Sequence, residues 1–109
     1  MSILYKVLGK SNPTATTATT LYTAPVAKNT VVSSVTVCNL SASQITYRVA
    51  IRPGGASLAN THYVAYDATC PASDAVILSL GLTLAANDVI TVYASTGAVN
   101  FSAFGSEIG

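Results

Sequence analysis

Apolar and polar positions alternate with a period of two along most of this chain, and the 3.6-residue spacing of an amphipathic helix is nearly missing. The cleanest stretch is ITYRVAIR, where Ile45, Tyr47, Val49 and Ile51 fall on one side and Thr46, Arg48, Ala50 and Arg52 on the other. A strand with one face in a core and one toward solvent has this pattern, so the first four residues are expected to wall the core and both arginines to project outward. Upstream, Thr30–Leu40 is rich in Val on both sides, with Val31, Val35 and Val37 on one and Val32, Thr36, Cys38 and Leu40 on the other. That predicts a strand partly covered on both faces, joined to the next by a hairpin loop at Ser41–Gln44.

The same reading places strands at Ile3–Leu8, Thr20–Ala24, His62–Asp67, Ala75–Leu80, Asp88–Ser95 and Val99–Ile108, about eight in all. Pro53-Gly54-Gly55, Pro71–Asp74, Ala85–Asp88 and Thr96-Gly97 punctuate them with residues of preset or positive φ. Helix is confined to at most a turn or two over Gly54–Asn60. Many short strands with no intervening helices predict an all-β fold, an antiparallel β-sandwich or jelly roll. At 109 residues the chain is one domain, 1–109. The low-complexity stretch Asn12–Thr20 reads as an exposed connection, an arm lying on a neighbour or a mobile loop.

Composition changes the picture in one respect. Only 8% of the residues are charged, against roughly 25% in an average soluble protein, and Thr, Ser and Ala fill 43 of the 109 positions. A surface of small neutral side chains suits packing against neighbours better than life as a free monomer. A net charge of +1 supplies no field for nucleic acid or an anionic membrane, and no apolar run approaches the roughly 20 residues of a bilayer span. No secretory signal is visible at Met1–Lys6, so cytoplasmic synthesis and reduced thiols at Cys38 and Cys70 are expected.

The chemical inventory is thin. A single His and two Cys separated by 31 residues do not make a zinc site, and neither cofactor nor metal is expected. His62 and Asp67, five apart on one strand, point to opposite faces, and no Gly-x-Ser-x-Gly elbow accompanies them. Gly9-Lys10-Ser11 copies the end of a phosphate-binding loop, but Leu4 stands where that loop needs Gly and Asn12-Pro13 blocks the helix. Asp74 and Asp88 sit where turns favour Asp for backbone reasons. No enzymatic role emerges.

Binding surfaces remain. Strand parity puts Tyr63 and Tyr66 on opposite faces, one in the core and one outside, so they do not form a platform. Tyr22, Tyr47 and Tyr93 read as core. Arg48 and Arg52 either contact an acidic partner or pair across strands with a carboxylate. Together with Asn12, Thr14, Thr16 and Thr17 of the low-complexity stretch they are the candidate partner-contact residues.

Two stretches, LYTAPVAKNTVVSSVTVCNLSASQITYRVAIRPGGA (Leu21–Ala56) and LTLAANDVITVYASTGAVNFSAFGSEI (Leu82–Ile108), carry a resemblance. An LYT-x-P opening, a Val-rich strand ending in VCN, a YRVAIRP strand and an ND-V-x-x-VYAS hairpin before a Phe-containing terminal strand together resemble small virion proteins of tailed bacteriophages, cyanophage-like genomes included. The resemblance implies a structural subunit on the capsid surface, as decoration or cement, or on the tail. Its partners would be other virion proteins and copies of itself, a trimer being the expected closed assembly. The alternative is a receptor- or carbohydrate-binding module of a fibre or baseplate, which a flat aromatic patch would distinguish.

Overall fold

The computed structural model describes residues 2–79 and 81–109. Nine strands succeed one another: β1 (Ile3–Ser11), β2 (Thr19–Thr23), β3 (Asn29–Asn39), β4 (Ile45–Arg52), β5 (Tyr63–Cys70), β6 (Ala75–Leu78), β7 (Leu82–Leu84), β8 (Val89–Ala94) and β9 (Val99–Ile108). Short 3-10 turns at Pro53–Gly55 and Asn60–His62 are the only helical geometry among the described residues. The strand expected over Ala75–Leu80 ends at Leu78, and Leu80 lies outside the described residues.

The strands form two antiparallel sheets. One runs β1-β9-β3-β6, with β7 also paired to β3, and the other runs β2-β8-β4-β5. This order is that of a ribbon, β1 with β9, β2 with β8, β3 with β6 and β7, β4 with β5, wrapped until β9 meets β3 and β8 meets β4. The fold is therefore a jelly-roll β-sandwich.

Wrapping overturns the hairpin expected at Ser41–Gln44. β3 and β4 lie in different sheets, so that link crosses the sandwich, as does the Asn87-Asp88 turn between β7 and β8. Buried Asn39 makes the first crossing rigid. Its Oδ1 accepts from the Ser41 amide at 2.9 Å and the Ser41 hydroxyl at 2.8 Å, while its Nδ2 donates to the carbonyls of Ser43 at 2.8 Å and Pro71 at 2.9 Å. A buried side-chain amide with its hydrogen bonds satisfied fixes the turn at little cost.

The core lies between the sheets. Val32, Val35, Val37, Val99, Phe101 and Ala103 face Ile45, Tyr47, Val49, Ile90, Val92 and Ala94, and the Phe101 ring meets Tyr47 edge-on across the gap, with centroids 6.5 Å apart. Ile45, Tyr47 and Val49 are buried and Ile51 packs against the same cluster, the wall expected from their alternation. β3 departs from its expected parity. Ser33 is an extra residue opposite β9, so Val32 joins Val35 and Val37 in the core and Val31 turns outward. A bulge at Leu8 of β1 falls one residue along β9, between the partners Phe104 and Ala103, and another at Leu21 of β2 lets consecutive Leu21 and Tyr22 both be buried.

Candidate binding surface

β5 is where bulges build a surface. Tyr47 of β4 pairs with Ala68 and Val49 with Ala65, so two residues, Tyr66 and Asp67, oppose Arg48 alone. Asp67 takes φ 50, a left-handed conformation that Asp tolerates better than most residues. One step on, Val49 pairs with Ala65 but Ala50 with Tyr63, so Val64 is a second extra residue. Each insertion reverses the parity of the residues beyond it. Tyr63, Tyr66 and Asp67 consequently reach the outer face, together with Arg48 of β4 and Tyr93 of β8.

Two expectations are corrected here. Tyr63 and Tyr66 are not on opposite faces: their rings touch, centroids 4.8 Å apart and planes at 80°. Tyr93 is not a core residue. It alternates with the inward Val92 and Ala94 and pairs with Arg48 across β8 and β4. The Arg48 guanidinium carbon lies 4.2 Å from the ring centroids of both Tyr66 and Tyr93. Its Nε donates to Asp67 Oδ1 at 2.6 Å and its Nη2 to Oδ2 at 3.3 Å. The hydrogen bonds to Asp67 are the largest influence raising the Arg48 pKa above its ordinary value. Aromatic stacking on a fork held by a carboxylate orders every member before any ligand arrives. Beside it, Asn60, Tyr63 and Tyr66 line a shallow cleft of about 340 Å³.

The other candidate contacts are dispersed. Arg52 projects outward, but its Nε donates to the Thr91 hydroxyl at 3.0 Å and its Nη1 to the Ala56 carbonyl at 3.1 Å, clamping the 3-10 turn next to it. The Asn12–Thr20 stretch is an exposed connection tied down to its own chain. Pro13 is buried, Asn12 Nδ2 donates to the carbonyls of Gly97 at 2.9 Å and Val99 at 2.8 Å, and the Thr16 amide donates to Ala94 at 2.8 Å. Thr14, Thr16 and Thr17 are exposed along it.

His62 Nδ1 accepts from the Ala59 amide, while Asp67 is held by Arg48, so these two are engaged separately. Asp88 accepts from the amides of Gly54 at 2.8 Å and Ala85 at 2.9 Å, which is turn chemistry. Among the described residues no three His, Cys, Asp or Glu side chains are grouped to hold a metal, and no helix is long and apolar enough to cross a membrane.

One buried polar cluster escaped the sequence reading. Glu107 lies inside the β9 end of the sandwich, where it accepts from the Tyr22 hydroxyl at 2.6 Å and from Lys6 Nζ at 3.2 Å. The Tyr22 hydroxyl is also 2.9 Å from the Thr30 hydroxyl, and since its proton goes to Glu107, Thr30 is the donor in that bond.

The two cysteines are unbridged. Cys70 is in the core, whereas Cys38 lies between inward Val37 and Asn39 and so points to the opposite face of β3, an arrangement no disulfide can span. Burial pushes the Cys70 thiol pKa up, so it is a poor nucleophile in the fold. Iodoacetamide is expected to label Cys38 in the native protein and both thiols only after unfolding, as read by mass spectrometry. Equal labelling of both under native conditions would contradict this placement.

Comparison with known proteins returns no match among family models, curated proteins or solved structures.

Proposed function

We propose that the chain is a non-enzymatic structural subunit of a tailed-phage virion, assembled in the host cytoplasm and carried on the capsid surface or the tail. The observation that carries this reading is the open half of β1. β1 is an edge strand, and Ile3, Leu4, Tyr5 and Val7 on it are all exposed, Tyr5 by 80%. Soluble proteins normally blunt such an edge with charge, Pro or a covering segment, because its free N–H and C=O groups template pairing with another chain. Here the one charge in that half, Lys6, is turned toward Glu107. The other half is already covered. At Gly9 the strand runs so close to the Leu21 carbonyl of β2 that any side chain there would overlap it.

An apolar, unguarded edge on a chain this poor in charge is suited to burial in an assembly. The sequence resemblance over Leu21–Ala56 and Leu82–Ile108 supports the virion setting, and jelly rolls are a recurrent architecture of viral shells, which is an argument from fold alone. A closed homo-oligomer, a trimer on three-fold positions, satisfies the edge without leaving it open to fibre growth.

Sedimentation of the purified chain at micromolar concentration tests the proposal. The wild type is expected to sediment as an oligomer, and Leu4→Lys combined with Tyr5→Lys to sediment as a monomer with an almost unchanged unfolding temperature. A wild-type monomer that also fails to bind phage particles would remove the structural reading.

A further inference from the structure

The aromatic corner lies on β5, an edge strand of the sheet that does not contain β1, and is separate from the edge on which the proposed assembly rests. The bulges that expose it replace a regular, self-covering strand edge by a rigid cluster, and such irregularities are concentrated where a side chain must be re-aimed. Tyr66 remains 58% exposed although it is held by Arg48 on one side and Tyr63 on another. Ordering an exposed ring in this way removes much of the entropy cost of binding.

The shape and charge of the corner select a ligand. Two rings set at 80°, with the exposed Asn60 beside them, form an L-shaped cleft of about 340 Å³, wide enough for one or two ring-sized groups. Ring faces carry partial negative charge and attract the weakly positive C–H face of a pyranose, while the Asn60 amide and the tyrosine hydroxyls offer donors and acceptors to its hydroxyls. Arg48 and Asp67 cancel each other's charge. Asp67 occupies the Nε/Nη2 edge of the guanidinium, and its carboxylate repels acidic ligands. A cationic ligand meets Arg48 stacked on the same ring.

We propose that the Asn60–Tyr63–Tyr66 cleft, braced by the Arg48–Asp67 pair and Tyr93, is a binding site for a neutral hexose unit of a glycan chain. Binding stacks the sugar on a tyrosine ring and hydrogen-bonds it to Asn60. With one corner and no enclosing wall, affinity per site is about millimolar, and copies in an assembly raise it by multivalency.

Titration of the 15N-labelled chain with maltohexaose, cellohexaose and mannohexaose, monitored by amide NMR shifts, tests the site. An alginate hexamer serves as the acidic comparator and a chitosan hexamer as the cationic one. At least one neutral hexaose is expected to move the resonances of residues 60–67 and those of Arg48 and Tyr93 in a saturable manner, and the charged oligomers to leave them unmoved. Tyr66→Leu, which keeps an apolar side chain but removes the ring, is expected to weaken binding about tenfold, whereas Tyr66→Phe changes it about twofold. Asn60→Ala, on an exposed turn, gives a second reading that does not disturb the Arg48 stack. No saturable shift with any neutral hexaose at about 20 mM, binding undiminished in both Tyr66→Leu and Asn60→Ala, or preference for a charged oligomer would each overturn the proposal.

Discussion

Phe101→Ala is expected to lower the unfolding free energy by roughly 3–5 kcal/mol, the range for removing a buried aromatic ring. Phe101 is 0% exposed, sits on β9 between β1 and β3, and meets Tyr47 of the other sheet edge-on. Deleting its ring removes a large share of the contact between the sheets and leaves a cavity that flanking strands, pinned by two hydrogen-bonded neighbours, fill poorly. For a domain of ordinary stability, about 5–15 kcal/mol, this is roughly a fifth of the total or more. Phe104 is the internal control. It lies three residues on, outside the core with Lys10 Nζ 5.9 Å from its ring, so Phe104→Ala should cost markedly less. Urea unfolding of the two variants measures the difference. Since a one-residue slip of β9 would exchange their environments, a larger loss for Phe104 would show that the register is wrong.

The residues that were legible in the sequence are those where parity is unbroken. Ile45, Tyr47, Val49 and Ile51 alternate through β4 without an insertion, and their wall and the outward course of Arg48 and Arg52 result directly. β3 and β5 defeat the same rule because a bulge is one extra residue, and nothing in SSV or HYVAYD marks which residue is extra until the partner strand is known. The tyrosine corner was therefore invisible: without Val64 and the Tyr66-Asp67 pair as insertions, Tyr63 and Tyr66 do fall on opposite faces. Two other features did leave a trace. In VITVYA, Tyr93 is out of phase with Ile90, Val92 and Ala94, which places it outside the core. Glu107 is in phase with Val99, Phe101 and Ala103, which places its carboxylate inside. The three-residue β7 was too short to stand out from its turns. The sheet order was not legible, since consecutive strands mostly cross between sheets and local pattern carries no record of non-local pairing.

Tyr22→Phe is expected to cost about 1–3 kcal/mol at neutral pH and to change the pH dependence of stability at both ends. The Tyr22 hydroxyl donates the shortest hydrogen bond to Glu107, and that bond is the largest influence holding the carboxyl below the ordinary 4.5, against burial and with help from Lys6. A carboxyl depressed in the fold contributes stability that is present above its unfolded pKa and lost as pH falls through the folded one, so the wild type should weaken progressively below about pH 4.5. Burial and the neighbouring carboxylate push Tyr22 itself from 10.0 up to about 12. For a raised group the contribution is present below the unfolded value and lost as pH climbs through the folded one, here between pH 10.0 and about 12. Two pH units correspond to a loss on the order of 2–3 kcal/mol. Phe has no proton to lose, so the variant should lack this alkaline component, and its acid-side loss should shrink because Glu107 is less depressed. Tyr47, also raised by burial, titrates alike in both proteins, so the difference between their stability curves isolates Tyr22. Parallel curves from pH 10 to 12 would show that the Tyr22–Glu107 bond does not form in solution.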